Sequence, residues 1–275
     1  MRSEALPIDL DRVSRDYRTT STSVHALQDV SARIPAGQFV SLLGPSGCGK
    51  STLLRLIAGL EKPTAGAIQI GGVQVKAPHV DLGMIFQKDL LLPWRTVLDN
   101  VLLQADVRKS DKSLATARAL ELLDQVGLKG FEYRYPRELS GGMRQRVAIC
   151  RAMLHDPHLL LMDEPYAALD AITRDQMAVD LAATTEGRST TVVFVTHSIT
   201  EAVFLSDRIL VMSARPGRIV ADIEVDIPQP RSLHIRELPR FGQLVGQVMN
   251  VFEALGIFRS QGRPVKATVK NGDHK

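Results

Sequence analysis

Apolar positions along this chain change their period twice. Residues 8–13, 22–34, 38–43 and 67–70 have strand-like spacing, separated by the turn residues Pro35-Ala36-Gly37 and Gly71-Gly72. Residues 50–60 (KSTLLRLIAGL) read as a helix that follows the third of these strands across a glycine-rich loop. After Gln87 the pattern turns helical. Residues 96–103 and 113–126, the latter stopped by Gly127, carry Leu and Ala at helical spacing. Met143, Val147, Cys150 and Leu154 continue that period in a further helix, with Arg144, Arg151 and His155 on another side. Apolar strands return at 159–162 and 191–196 and alternate with helices at 171–186 and 200–205. This order predicts an α/β fold with a mainly parallel sheet, interrupted once by a helical lobe. In the last fifth, residues 228–231 (PQPR) read as a linker. Residues 240–258 read as an amphipathic helix through Phe241, Leu244, Val248 and Phe252.

The loop between the third strand and its helix is Gly44-Pro45-Ser46-Gly47-Cys48-Gly49-Lys50-Ser51-Thr52, which fits G-x-x-x-x-G-K-[ST]. Glycines at 44, 47 and 49 let consecutive backbone N–H groups turn inward, and the helix start adds its positive dipole end. A polyphosphate suits such a cavity. Lys50 would neutralise the outer phosphates and Ser51 would offer a hydroxyl to magnesium. A further metal contact is supplied by Leu159-Leu160-Leu161-Met162-Asp163-Glu164, an apolar run that ends in two carboxylates at the carboxyl end of a central strand. Asp163 is the expected metal partner of Ser51. Glu164, one residue on, would point elsewhere on an extended chain, toward a water attacking the terminal phosphate, and is the expected general base.

A third segment narrows the class. Leu139-Ser140-Gly141-Gly142-Met143 places a good N-cap, Ser140, and two glycines at the start of a helix, a second anion site in a chain that already has one. The chain therefore resembles the ABC ATPase family from about Ile8 to about Ile227. The resemblance implies a P-loop NTPase of that type: a RecA-like core with an antiparallel β subdomain and an inserted helical subdomain at about 88–156, the ATPase domain ending near residue 227. It implies that Ser140, Gly141 and Gly142 bind the terminal phosphate of ATP held by the opposite subunit. Gln87 matches the Q-loop glutamine, sensing magnesium and the attacking water. Ala168-Leu169-Asp170 matches the D-loop that crosses the subunit boundary, and His197 the switch histidine beside Glu164. Tyr17 stands where the family stacks an aromatic ring on adenine; packing on the sheet is its other reading. Met143 departs from the usual signature glutamine, and Tyr166-Ala167-Ala168 from Phe-Gly-Ala or Phe-Ser-Ala. Neither change removes a group that touches phosphate.

Composition limits the alternatives. Of 275 residues, 44% are hydrophobic and 23% charged, as expected for one globular unit with a smaller lobe. Two cysteines, Cys48 and Cys150, give no disulfide framework and point to a reducing compartment. The first six residues are charged and precede no apolar stretch of signal length, and no run reaches membrane-spanning length. The net charge of +4 is spread along the chain, so nucleic acid is not an expected partner. The most basic stretch, 266–275, reads as a flexible, solvated tail. His155, before Pro157 at a helix end, reads as a favourable contact with the helix C-terminus rather than a zinc ligand with His158.

No long internal repeat is present, so two ATPase units require two chains, most simply a homodimer. The span from Lys50 to Ser140 is too short for the coiled coil of the chromosome-maintenance relatives. Residues 90–101 (LLLPWRTVLDNV) and 228–244 resemble the nitrate, sulfonate and taurine importer ATPases. That resemblance implies a peripheral subunit at the cytoplasmic face of the cell membrane. Its partners would be separate permease subunits and, indirectly, an extracytoplasmic solute-binding protein. Trp94 falls where such an ATPase meets its permease, although packing within the helical lobe would also explain it. An exporter ATPase and a soluble ABC ATPase acting on a macromolecular complex remain open beside the importer.

Overall fold

The computed structural model describes residues 5–18, 23–79, 81–167, 169–185 and 190–257. It opens with the antiparallel pair β1 (Ile8–Arg18) and β2 (Ser23–Ile34), followed by β3 (Phe39–Leu43) and α1 (Lys50–Ile57). Next come β4 (Ala65–Ile70), β5 (Val73–Gln74) and β6 (Leu82–Ile85). Four helices follow: α2 (Val97–Val101), α3 (Leu103–Arg108), α4 (Lys112–Gln125) and α5 (Gly141–Met153). The chain then alternates through β7 (Leu159–Asp163), α6 (Ala171–Thr185), β8 (Thr191–Val195), α7 (Ile199–Leu205), β9 (Arg208–Met212) and β10 (Ile219–Glu224). It closes with α8 (Pro239–Ala254).

Two sheets result. One is antiparallel, in the order β2-β1-β4-β5; the other runs β10-β9-β3-β8-β7-β6, parallel except at β10. Strands β3, β7 and β8 are buried along their whole length, and both of their faces are mainly apolar. Their side chains divide by alternation. Val40, Leu42, Leu159, Leu161, Val193 and Val195 join α1 and the antiparallel sheet in one core. Phe39, Leu43, Leu160, Met162, Val192 and Phe194 join the helices of the other face.

Several elements differ from the pattern along the sequence. β1 continues past Val13 to Arg18, because its register slips at Val13, Arg15 and Asp16 and so tolerates broken alternation. Tyr17 thereby becomes a strand residue. β5, β6, β9 and β10 are strands beyond those expected from the sequence pattern. Residues 228–231 are not a free linker: Arg231 is buried, and its guanidinium donates to the carbonyls of Ile227 (2.7 and 3.1 Å), Ser206 (2.7 Å) and Phe204 (3.2 Å). Residues 258–275, including the basic tail and the expected end of the last helix, lie outside the described residues, as does Thr22 at the expected start of β2.

His155 corrects another expectation. Neither ring nitrogen has a hydrogen-bond partner, and burial first, then the Arg108 charge, pushes its pKa down to about 4. At neutral pH the ring carries no charge for the helix dipole to favour. Asp81, Asp156 and His158 also face it, and the two carboxylates only partly oppose the shift. In the unfolded chain this histidine takes up its proton near the ordinary value of 6.5, so between there and about 4 the unfolded state binds more protons. Stability from this group is therefore lost as pH falls through that window. His155→Phe is expected to flatten the pH dependence of urea unfolding there; an unchanged slope would assign it to other groups.

Candidate functional site

Four neighbouring parallel strands deliver the candidate residues to one edge of the large sheet. β3 ends at the phosphate loop, β8 at His197, β7 at Asp163 and β6 just before Gln87. The carboxyl edge of a parallel sheet is where such folds place their ligands. The loop leaving β3 is shaped by Gly49, whose φ of 104° is left-handed and which caps α1. A Cβ there would lie 2.7 Å from Leu27 Cδ2 and 2.9 Å from Ala26 O, so no other side chain fits beneath the loop.

Within the loop, Lys50 is 4% exposed and its Nζ donates to Gly44 O at 2.8 Å and Pro45 O at 3.1 Å. Ser51 Oγ donates to Asp163 Oδ1 at 2.7 Å. Burial holds the Asp163 carboxyl above its ordinary value, while the Ser51 bond and nearby Arg55 and Lys50 pull it down. The serine hydroxyl and the carboxylate form a hard oxygen pair of the kind that, with phosphate oxygens and water, suits magnesium. Cys48 contributes backbone only. Its side chain belongs to the core, 4.0 Å from Lys50 Nζ, and burial pushes the thiol pKa up.

The backbone that carries Glu164 is not the extended strand of the expectation. β7 ends at Asp163, and Glu164 adopts a left-handed φ of 46° with its N–H on Val195 O at 2.9 Å. A turn in the backbone, rather than strand alternation, aims its carboxylate, and this is an uncommon conformation of the sort found at functional sites. Gln87 Nε2 donates to Glu164 Oε2 at 3.4 Å, His197 Nδ1 lies 3.6 Å from the same oxygen, and Lys50 Nζ lies 4.0 Å from Oε1. Lys50, Ser51, Asp163, Glu164, Gln87 and His197 thus form one constellation.

A cavity of about 350 Å³ lies against it, lined by Ser46, Gly47, Gly49, Lys50, Ser51, Thr52, Gln87 and Glu164. Tyr17 also lines it, with its hydroxyl on Glu61 Oε2 at 2.6 Å and the Arg15 guanidinium 4.6 Å from its ring centre. One ring face is therefore already covered. Ser140, Gly141, Gly142 and Asp170 are not among the lining residues. Ser140 caps α5 by accepting from Met143 N at 3.3 Å; it and Gly141 are exposed, whereas Gly142 is buried. Asp170 binds Thr173 N and Oγ1 at 3.0 and 2.6 Å, which lowers its pKa. Ala168 lies outside the described residues.

Some supporting residues carry no motif. Arg144 Nε binds Asp89 Oδ2 at 2.8 Å, and Arg151 donates to the carbonyls of Asp89 and Leu90. These bonds tie the signature helix to the segment after Gln87; in the sequence only the polar face of α5 hinted at them. The following loop hangs on buried Asn100, which accepts from Leu92 N and donates to Leu92 O, Arg95 O and Thr96 O. That loop leaves Trp94 72% exposed, which excludes internal packing as its role. Behind His197, Thr196 Oγ1 donates to buried Glu201 at 2.6 Å, and Arg174 Nε lies 3.4 Å from the same carboxylate.

Residues 27–167 match the ABC transporter family model. The chain is 42% identical to the aliphatic sulfonates import ATP-binding protein of Bacillus cereus, over 93% of this chain and 99% of that one. It is 46% identical to the taurine import ATP-binding protein of Rhizobium johnstonii, over 86% and 93%. Its fold is similar to an ATP-binding cassette solved as a dimer in a post-hydrolysis state with ADP and Pi: TM-score 0.72, 33% identity, 80% of this chain and all of that one. With the phosphate loop, signature helix and paired carboxylates in place, this chain belongs to the ABC transporter ATP-binding family.

Proposed function

We propose that the chain is the ATP-hydrolysing subunit of an importer for small anions, working as a pair around two Mg-ATP and docked on a separate permease. The gathering of Lys50, Ser51, Asp163, Glu164, Gln87 and His197 at one sheet edge carries the reading. Sulfonate, taurine or nitrate is the solute class, from the transport systems named for the relatives. Among the described residues no helix is long and apolar enough to cross a membrane. The pathway in this reading is the permease's, and this chain works at its cytoplasmic face.

In this reading Lys50 exchanges its carbonyl partners for the outer phosphates, and the phosphate-loop N–H groups of residues 46–52 hold the rest. Tyr17 presents its uncovered face to adenine. Ser51 and Asp163 would hold magnesium, with Gln87 nearby; the ion would neutralise charge on the β- and γ-phosphates. Glu164 takes a proton from the attacking water, Gln87 orients that carboxylate, and His197 donates to the terminal phosphate. Ser140, Gly141 and Gly142 stand away from their own cavity and would complete the partner subunit's site, with Asp170 at the boundary. Exposed Ile172, 84% accessible at the start of α6, suits burial there. Closure on ATP and reopening after hydrolysis shift the permease through differential affinity, transmitted by Gln87, Asp89 and the helical lobe.

Glu164→Gln is expected to retain Mg-ATP, trap the closed pair and lower hydrolysis by at least ~100-fold, measured as phosphate release. A near-normal rate would remove Glu164 from that role. Lys50→Ala is expected to abolish nucleotide binding in calorimetry, and unchanged affinity would count against the phosphate-loop assignment. Glu164→Gln protein purified from detergent-solubilised membranes with Mg-ATP should bring down a polytopic permease, and Trp94→Ala added to it should reduce that recovery. Recovery with soluble complexes alone would sink the importer reading and leave the ATPase.

A further inference from the structure

Five parallel strands, not four, end at the nucleotide edge. The order β9-β3-β8-β7-β6 is unbroken, and the fifth strand, β9, ends at Met212 and enters a turn over residues 213–218. Hydrogen bonds set this turn. Ser213 N donates to Arg218 O at 2.9 Å, Ser213 Oγ donates to Pro216 O at 3.1 Å, and Arg218 N returns to Ser213 Oγ at 3.1 Å. It is also stitched to β2, through Gly217 N to Ala26 O at 2.9 Å and Gln28 N to Gly217 O at 3.0 Å. A Cβ at Gly217 would overlap the Cys48 carbonyl oxygen, so the absence of a side chain lets the turn press against the phosphate loop.

The side chain delivered there is Arg215. Its Nε and Nη2 donate to Gly47 O at 3.2 and 3.0 Å, and it lines the same cavity as Lys50 and Tyr17. Among the described residues no carboxylate lies in ion-pair range of it. Lys50 and Arg215 therefore share an arrangement in which each cation rests on neutral carbonyls of the phosphate loop. Charged phosphate oxygens are roughly twice as good as neutral acceptors for such a donor, and a planar guanidinium can grip two at once.

We infer that Arg215 is a second cationic contact for the nucleotide's phosphates, approaching the chain of phosphates from the side opposite Glu164 and Gln87. The strand order carries this placement, since β9 and β7 flank β3 and β8 from opposite sides. The inference rests on the nucleotide-site reading above. It makes Arg215 a binding residue rather than a brace for the Gly47 carbonyl.

The test compares wild type, Arg215→Ala, Arg215→Gln and Lys50→Ala, each titrated with Mg-ATP, Mg-ADP and inorganic triphosphate. Arg215→Gln keeps a donor for Gly47 O, so it separates charge from bracing. Both Arg215 variants are expected to bind ATP about 10- to 100-fold more weakly, the range of one charge-assisted hydrogen bond. The same loss should appear with triphosphate, which has no adenine or ribose, and the salt dependence of binding should become shallower. Wild-type affinity in either variant would overturn the assignment. So would a loss confined to Arg215→Ala, accompanied by a lower urea midpoint, or a loss seen with ATP and absent with triphosphate. Failure of wild type itself to bind Mg-ATP would instead overturn the nucleotide site, an outcome distinct from failure of Arg215 alone.

Discussion

Parallel pairing of β3 with β8 and of β8 with β7 is the constraint on which the site depends. Because these strands run together in register, Leu42 opposite Val195 and Asp163 opposite Val195, their carboxyl ends arrive at one height. The 2.7 Å bond from Ser51 to Asp163 spans two strands separated by β8 and joins residues 112 apart in sequence. A one-residue slip would reverse every side chain between the two cores and point Asp163 away from the loop. The buried apolar residues of β3, β7 and β8, which alternate between the two cores, oppose such a slip. Site precision here is thus a by-product of core packing.

The C-terminal segment extends that support to the catalytic edge. Arg236 holds Asp175 of α6 with two hydrogen bonds of 2.6 and 2.7 Å, and its guanidinium lies 5.7 Å from the Phe204 ring of α7. α6 starts beside Asp170, and α7 starts two residues after His197. Between the helices, Arg174 and Glu201 pair, and Glu201 also accepts from Thr196, the residue before His197. Burial raises the Glu201 carboxyl pKa, so Arg174 and Thr196 help keep it charged. Both the expected switch histidine and the expected subunit-boundary aspartate therefore lie just ahead of helices fastened by one network.

Sequence patterns reported what local chemistry dictates. The phosphate loop, the N-cap Ser140, the stop at Gly127 and the carboxylate pair each follow from a few adjacent residues, and the helices they define fall within a residue or two of expectation. Arg215 was out of reach because its meaning lies in the stacking of β9 beside β3, a pairing between distant segments. Glu164 was assigned a direction by strand alternation, whereas a left-handed backbone aims it. Arg231 follows two prolines, a local signal for a linker, yet tertiary carbonyls from α7 and its end bury it. In each case contacts far along the chain overrode the local rule.

Asn100 illustrates a different economy. A single buried amide fixes the loop from Leu92 to Thr96, and it does so wholly through main-chain groups. Arg95 and Thr96 add to this support through Asp106 and Asp99, whereas Trp94, the residue the loop exposes most, stands outside these bonds. Recognition and support are therefore separable here. On the reading of Trp94 as a permease contact, that side chain can be exchanged to suit a different partner while the backbone that presents it stays as it is, so one ATPase design would diversify in its associations without being refolded.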